Sequence, residues 1–258
     1  VGFFSFIGSA RVGWMLRSKL ANGTRCALEH GGVAPVIVSS DADMDDSVAM
    51  LSKAGFYHAG QVCVSVQRVY AEKSIARELA EKIAEAGNNM TIGDPTLADT
   101  DIGPLIRHAE TDRVHEWVQD AVTRGAELIS GGEKISDSCY QATVLLNAPD
   151  DAIISHNEVF GPVICVYEYE DIDEAIDRAN SLNFAFQAAV FSKNIDTCMH
   201  AFRQLDASAV MVNDHTAFRV DWMPFAGLKH SGHGVGGIPH TFRDMQIEKM
   251  MVIRSPAL

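Results

Sequence analysis

The sequence predicts an α/β fold built on a largely parallel sheet, and three observations carry that prediction. Short apolar runs alternate along the chain with longer stretches of helical periodicity. The apolar runs are bounded by glycine or acidic turn residues, the pattern of strands buried on both faces. At 258 residues and 47% hydrophobic content, the chain has ample material for a core, as one large domain or two smaller ones.

The elements read in order. Residues 1–7 alternate like a strand, and Gly8-Ser9 opens a helical stretch to about Leu20. Runs 24–28 and 35–39 read as buried strands. Met44, Val48 and Leu51 follow helical spacing between residues 44 and 60, and 67–71 reads as another strand. From Ser74 a helix is signalled by a cap at Ser74, one apolar face at Ile75, Leu79 and Ile83, and Glu78 four residues before Lys82. Val114, Trp117, Val118, Ala121 and Val122 form a second amphipathic stripe. Helices follow at 172–179 and 195–205, and strands at 162–169, 188–191 and 209–213. Residues 227–237, with five glycines in eleven positions, read as a loop. A short helix near 242–247 and a strand at 250–254 complete the reading.

Composition excludes several classes. With 34 acidic and 21 basic side chains and a net charge of −13, the chain lacks the clustered cations that nucleic-acid backbones require. No apolar run approaches the roughly 18 residues of a membrane span. Five cysteines, at 26, 63, 139, 165 and 198, include no C-x-x-C pair, which fits a reducing cytoplasm better than a disulfide framework. Asp41-Ala-Asp43-Met-Asp45-Asp46 opens like a calcium loop but has Asp46 where glycine is needed and Ser52 where glutamate is needed. His230, His233 and His240 have no evident fourth ligand, so no metal is expected.

Three places carry candidate chemistry. Cys63 stands on a glycine-bearing turn between a helix and a strand, where backbone N–H groups favour a thiolate. A free cysteine is, however, more often a small buried hydrophobe. Glu29 ends a strand and precedes Gly31-Gly32, a position from which a carboxylate can face a cleft as a general base; a solvated surface glutamate is the ordinary alternative. Gly8-Ser9 joins a strand to a helix and offers free N–H groups to an anion such as a pyrophosphate. The fingerprint G-x-G-x-x-G is absent there.

Read together, these pieces resemble the NAD(P)-dependent aldehyde dehydrogenase superfamily. The matching segments run in order: Phe6-Ile7-Gly8-Ser9, Leu28-Glu29-His30-Gly31-Gly32, Gly60-Gln61-Val62-Cys63, Gly93-Asp94-Pro95 and Gly103-Pro104-Leu105. They continue with Glu158-Val159-Phe160-Gly161-Pro162, Val212-Asn213 and Pro224-Phe225-Ala226-Gly227-Leu228-Lys229-His230-Ser231-Gly232.

The resemblance implies a Rossmann-like catalytic domain at 30–230. Residues 1–29 would be the end of a dinucleotide-binding domain, and 231–258 a return to it with an oligomerisation strand at 250–254. A full-length member carries roughly 200 further residues before this start, holding the rest of the cofactor domain. By resemblance Cys63 is the nucleophile that attacks an aldehyde, and Glu29 activates the water that hydrolyses the resulting thioester to a carboxylic acid. NAD or NADP is held by Gly8 and Ser9 at the pyrophosphate and by Glu158, with Phe160 beside it, at the nicotinamide ribose. Asn213 is structural. A homodimer or homotetramer is the family expectation.

The segment 218–224 resembles the branch acting on lactaldehyde, semialdehydes and glyceraldehyde-3-phosphate. Arg219 is placed to meet an anionic substrate tail, or else to pair with Asp221. Val62 departs from the arginine of the glyceraldehyde-phosphate enzymes, so a short hydroxyaldehyde or semialdehyde is favoured. His30 departs from a leucine and is expected to tune Glu29. The competing readings are a coenzyme A-acylating semialdehyde dehydrogenase, which lacks the glutamate matched by Glu29, an inactive fragment serving only subunit interaction, and a cysteine hydrolase.

Overall fold

A computed structural model describes residues 1–256. It begins with strand β1 (Phe3–Ile7), helix α1 (Ala10–Arg17), β2 (Arg25–Glu29) and β3 (Pro35–Val38). Helix α2 (Met44–Phe56) runs into a short turn over Tyr57–Gly60, followed by β4 (Arg68–Glu72), α3 (Ala76–Asn88) and α4 (His108–Arg124). Then come β5 (Glu127–Ser130), β6 (Thr143–Leu146), α5 (Ile153–His156), β7 (Val163–Tyr169), α6 (Ile172–Asn180), β8 (Phe184–Ala185) and β9 (Gln187–Phe191). The chain closes with α7 (Ile195–Gln204), β10 (Ala209–Val212), β11 (Leu228–Lys229), β12 (Gly232–His233) and α8 (Ile238–Asp244).

Seven strands form the main sheet in the order β10-β9-β3-β4-β7-β6-β5. All its neighbours are parallel except β5, which runs antiparallel at the edge. Buried Val36, Ile37, Val69, Ile164 and Val190 belong to its central strands, as expected of parallel strands covered on both sides. Side chains alternate faces. Gly55 of α2 sits against Ile164, whereas Arg178 of α6 lies over Tyr70 and Tyr167 on the opposite face. A second sheet, β1-β2-β12, pairs β1 with β2 in parallel and adds β12 antiparallel.

Three expectations need correction. The first turn of α3 is not capped by Ser74: its N-cap is Ile75, which makes no side-chain cap bond. The loop over 227–237 contains two short strands, because Gly232–His233 extends the edge of β2 and Leu228–Lys229 pairs with β8. No strand forms at 250–254: no described strand pairs with it, and Met250, Met251 and Val252 lie in water, 79–85% exposed. A strand exists only where its N–H and C=O groups find a partner. Among the described residues no helix is long and apolar enough to cross a membrane.

The turn before the Cys63 loop is unusual. His58, Ala59 and Gly60 all have left-handed backbone, with φ of 49°, 55° and 68°. A Cβ on Gly60 would lie 2.0 Å from the Gly161 carbonyl oxygen, so only glycine lets these two loops touch. Gly60→Ala is therefore expected to lower stability by more than about 1 kcal/mol. The denaturant midpoint checks this, and an unchanged midpoint would show that the loops do not depend on this contact.

Candidate active site

Three segments that precede adjacent parallel strands converge at the amino ends of the central strands of the main sheet. Gly31-Gly32 precedes β3, the Cys63 turn precedes β4, and Glu158–Phe160 precedes β7. Facing them are the carboxyl ends of β1 and β2, with Gly8-Ser9 after the first and Glu29 closing the second. A cleft between two sheets thus gathers Glu29, Cys63, Glu158, Phe160 and Ser9 from distant parts of the sequence. Gly32, Val62, Glu158 and Phe160 line one narrow cavity within it.

The Cys63 turn is closed by a Ser65 N–H to Val62 carbonyl bond of 2.9 Å and held from outside by several more. Gln61 donates through Nε2 to the carbonyls of His58 and Pro104 and accepts the Ile106 N–H at 2.9 Å, which explains the Gly103-Pro104-Leu105 segment. The Thr216 hydroxyl donates to the Val64 carbonyl at 2.6 Å, tying the 213–225 segment to the same turn. Burial raises the Cys63 thiol to about 11, the carboxylates of Glu158 and Glu29 push the same way, and Arg219 opposes them. Glu29, Glu158 and Arg219 are the charged side chains near enough to act on this sulfur. With the thiol held protonated, Cys63 alkylation by iodoacetamide is expected to accelerate about tenfold per pH unit from 7 to 10. A plateau near pH 8 would contradict that environment.

The Glu29 carboxyl is raised above the usual carboxylate range by burial, with Arg219 pulling it down. Oε1 of Glu29 lies where a Cβ on Gly236 would stand, 2.0 Å away, so the carboxylate packs on the bare Gly236 backbone. The Glu29 carbonyl accepts the Gly8 N–H at 3.1 Å, which fixes the Gly8-Ser9 turn to the end of β2. Ser9 is the N-cap of α1 and its hydroxyl makes no capping bond; the Val12 N–H turns back to the Ser9 carbonyl at 3.1 Å, so the Ser9 hydroxyl and the N–H groups of Ala10 and Arg11 are the ones available to an anion.

Glu158 is raised to about 7 by burial, opposed by the Gly32 N–H that it accepts and by Arg113. Its Oε1 is buried without a hydrogen-bond partner, and the carboxylate fills the space a Gly31 Cβ would need, 1.8 Å from it. An orphaned acceptor at the cleft is what a hydroxyl-bearing ligand such as a ribose requires. Phe160 follows with φ 50° and is 39% exposed, its ring free to meet a ligand.

Sequence reasoning missed the residues that hold this segment. Gln67 accepts the Val159 N–H at 2.8 Å and donates to the Asn157 and Ile154 carbonyls, while Arg113 donates to the Val159 carbonyl at 2.7 Å. A glutamine inside the apolar run Val66-Gln67-Arg68-Val69 is the signal that was available, since a buried amide must find partners. Tyr57 was missed as well; its half-buried phenol is raised to about 12 by burial and by Cys63.

His30 does not face Glu29. Its ring is buried over Gly13, edge-on to Phe6 and Trp14, and its Nδ1 pairs with the His230 carbonyl at 2.8 Å. The Trp14 indole donates to that same carbonyl at 3.2 Å, so His30 joins α1 to the 227–233 segment rather than tuning the carboxylate. Asn213 uses both ends of its amide on the Ser192 backbone, at 2.9 and 3.0 Å. Arg219 lies with its guanidinium 4.4 Å from the Phe225 ring centre, and Asp221 forms no ion pair with it.

Comparison with known proteins gives a consistent answer. The profile of the aldehyde dehydrogenase family matches residues 1–251. The chain is 38% identical over 253 residues to 3-sulfolactaldehyde dehydrogenase of Priestia megaterium, covering 98% of this chain and 53% of that protein. Aldehyde dehydrogenase 21 of Physcomitrella patens, solved with its reaction product succinate, superposes with TM-score 0.90 at 32% identity, covering 95% of this chain and 50% of that one. The NADP complex of glyceraldehyde-3-phosphate dehydrogenase from Methanocaldococcus jannaschii gives 0.91 at 35%, covering 95% and 53%. The chain thus spans about half the length of the relatives it matches. With a family profile over nearly its whole length and the family fold around its cleft, it belongs to the aldehyde dehydrogenase family.

Proposed function

We propose that the protein oxidises a short aldehyde to its carboxylic acid with NAD or NADP, using Cys63 as nucleophile and Glu29 as general base. The observation that carries this reading is the convergence on Cys63 of Glu29, Glu158 and Arg219, three groups from three separate segments. Cys63 gives its thiol proton to solvent as Sγ adds to the aldehyde carbon; bound nicotinamide would accept the hydride from that carbon, which leaves an acyl group on Sγ. Glu29, its carboxyl raised by burial, takes a proton from the water that attacks the acyl carbon, and the carbon–sulfur bond breaks to release the carboxylic acid and free Cys63 Sγ. The presence of that base favours hydrolysis over transfer to coenzyme A.

Glu158 and Phe160 hold the nicotinamide side of the cofactor in this reading, and Gly8 and Ser9 the pyrophosphate. The orphaned Glu158 oxygen and the uncapped start of α1 support the assignment. Residues 1–29 and 231–258 are assigned to the cofactor-binding part, and 30–230 to the catalytic part; the joining of β12 to β2 supports the first grouping. We assign a homodimer or homotetramer in the cytoplasm, with the exposed apolar run at 250–253 as a segment available to a second subunit.

Arg219 is assigned to the substrate's anionic tail. It acts electrostatically on both Cys63 and Glu29 and has no carboxylate partner within ion-pair distance among the described residues. Three of the relatives act on or yield an anionic compound (a sulfolactaldehyde, succinate and a phosphorylated glyceraldehyde), whereas others act on uncharged lactaldehyde. Reduced-cofactor formation with a panel of short aldehydes tests the reading. Arg219→Gln is expected to raise KM for tailed substrates about 10- to 100-fold and to leave uncharged aldehydes within about threefold. Equal losses on both classes would remove Arg219 from substrate recognition.

A further inference from the structure

A second cluster lies on the face of the main sheet covered by α6, away from Glu29. The β4–β7 register sets Arg68 opposite Cys165 and Tyr70 opposite Tyr167. The two tyrosine rings stack at 5.4 Å, and two guanidinium groups bracket them. Arg68 stands 5.3 and 5.9 Å from the ring centres, and Arg178, from α6, stands 5.3 and 5.1 Å from them.

Arg68 is only 3% exposed, and no described carboxylate lies within ion-pair distance of it. Its Nη2 donates to the Arg178 carbonyl at 3.2 Å, while Nε and Nη1 make no hydrogen bond of good geometry, the buried Tyr70 hydroxyl being the acceptor within reach. Arg178 Nη2 donates to Asp150 at 3.0 Å and Nη1 to the Glu168 carbonyl, but its Nε makes no such bond either. Buried charges are normally paired, and a buried donor without an acceptor is costly. Here three guanidinium donors without a good hydrogen bond cluster beside a cavity of about 400 Å³ whose walls include Arg68, Arg178, Ser155, His156, Asp150 and Asp177. The two aspartates are exposed, whereas Arg68 and Ser155 are buried.

We propose that this cavity binds a tetrahedral oxyanion of the phosphate class, either free or as the end group of a phosphomonoester. Unpaired donors from two guanidiniums suit three or four acceptor oxygens pointing in different directions better than the single plane of a carboxylate. The Ser155 hydroxyl, now paired with Tyr167 at 3.1 Å, and the His156 ring complete the wall. The site lies behind the segment that carries Glu158, since Gln67, next to Arg68, holds the Ile154 and Asn157 carbonyls.

Equilibrium dialysis with radiolabelled inorganic phosphate, in chloride at fixed ionic strength, tests this. At least one phosphate per chain is expected, and one is retained in Arg219→Gln, which removes the proposed substrate-tail site and so distinguishes the cavity from it. Arg178→Gln, at a half-buried position, is expected to weaken phosphate about tenfold or more, with folding checked by circular dichroism. Arg68→Lys, which keeps the charge but loses the planar fork, is expected to weaken it as well. Glycerol phosphate competing as well as phosphate would identify a phosphomonoester end group as an accepted source, and failure to compete would restrict the site to the free ion. Absence of phosphate binding above that of chloride, or affinity unchanged in Arg178→Gln, would overturn the proposal.

Discussion

Cys63→Ser is expected to abolish aldehyde oxidation, with kcat/KM falling on the order of 10⁴-fold or more. The substitution exchanges sulfur for oxygen at a partly buried turn and leaves the cleft's shape intact. Its effect is therefore chemical. The surroundings raise even the more acidic thiol to about 11 through burial and two carboxylates, and a serine hydroxyl there is harder still to ionise. Binding of the dinucleotide, measured by its fluorescence, is expected to survive, because Glu158 and Ser9 are untouched. Residual turnover above about one per cent would mean that Cys63 is not the nucleophile. The other four cysteines differ in setting: Cys139, Cys165 and Cys198 are buried, and Cys26 lies within β2.

The second large effect is expected at Glu29. Glu29→Gln keeps the side chain's size over Gly236 and removes only the basic oxygen. The first turnover is then expected to proceed as a burst of reduced cofactor, while the steady-state rate drops about 10²- to 10⁴-fold as the acyl group stays on Cys63. The pH dependence follows from the same group. A base must be ionised, and burial raises Glu29 above its ordinary value, so steady-state turnover is lost as pH falls through that raised value. Glu29→Gln is expected to lose that acid limb. A variant that kept the wild-type steady-state rate would assign the base elsewhere.

The sequence made the central sheet and most of its helices readable because each apolar run is buried on both faces, which leaves a local signature. The edge of the sheet was not readable. Glu127–Ser130 has a charged first residue and is half in water, so its pattern does not stand out from a loop. Thr143–Leu146, although fully buried and as long as Pro35–Val38, has no glycine just ahead of it to mark its start. The strand expected at 250–254 failed for a different reason: residues 250–253 are apolar, but strand formation depends on a pairing partner that no local pattern contains.

At the site, Cys63 and Glu29 were legible from the glycine-bearing turns beside them and Glu158 from the family resemblance alone, and three glycines around them prove to be close approaches. Gly31 sits under Glu158, Gly236 under Glu29, and Gly60 against Gly161. What supports them was not legible. Gln67 and Arg113 act through carbonyls and an N–H far away in sequence, and only the folded chain brings these together. His30 shows the opposite failure. Adjacency in sequence to Glu29 pointed to coupling, but its ring packs against Gly13 and Trp14 while Glu29 packs on Gly236.

The most direct test of the account is the intact mass of Glu29→Gln after incubation with a short aldehyde and NAD or NADP. The account predicts one acyl group per chain, mapped by peptide digestion to Cys63 and released by hydroxylamine. An unmodified protein that has nevertheless reduced cofactor, or an acyl group on any other residue, would contradict it.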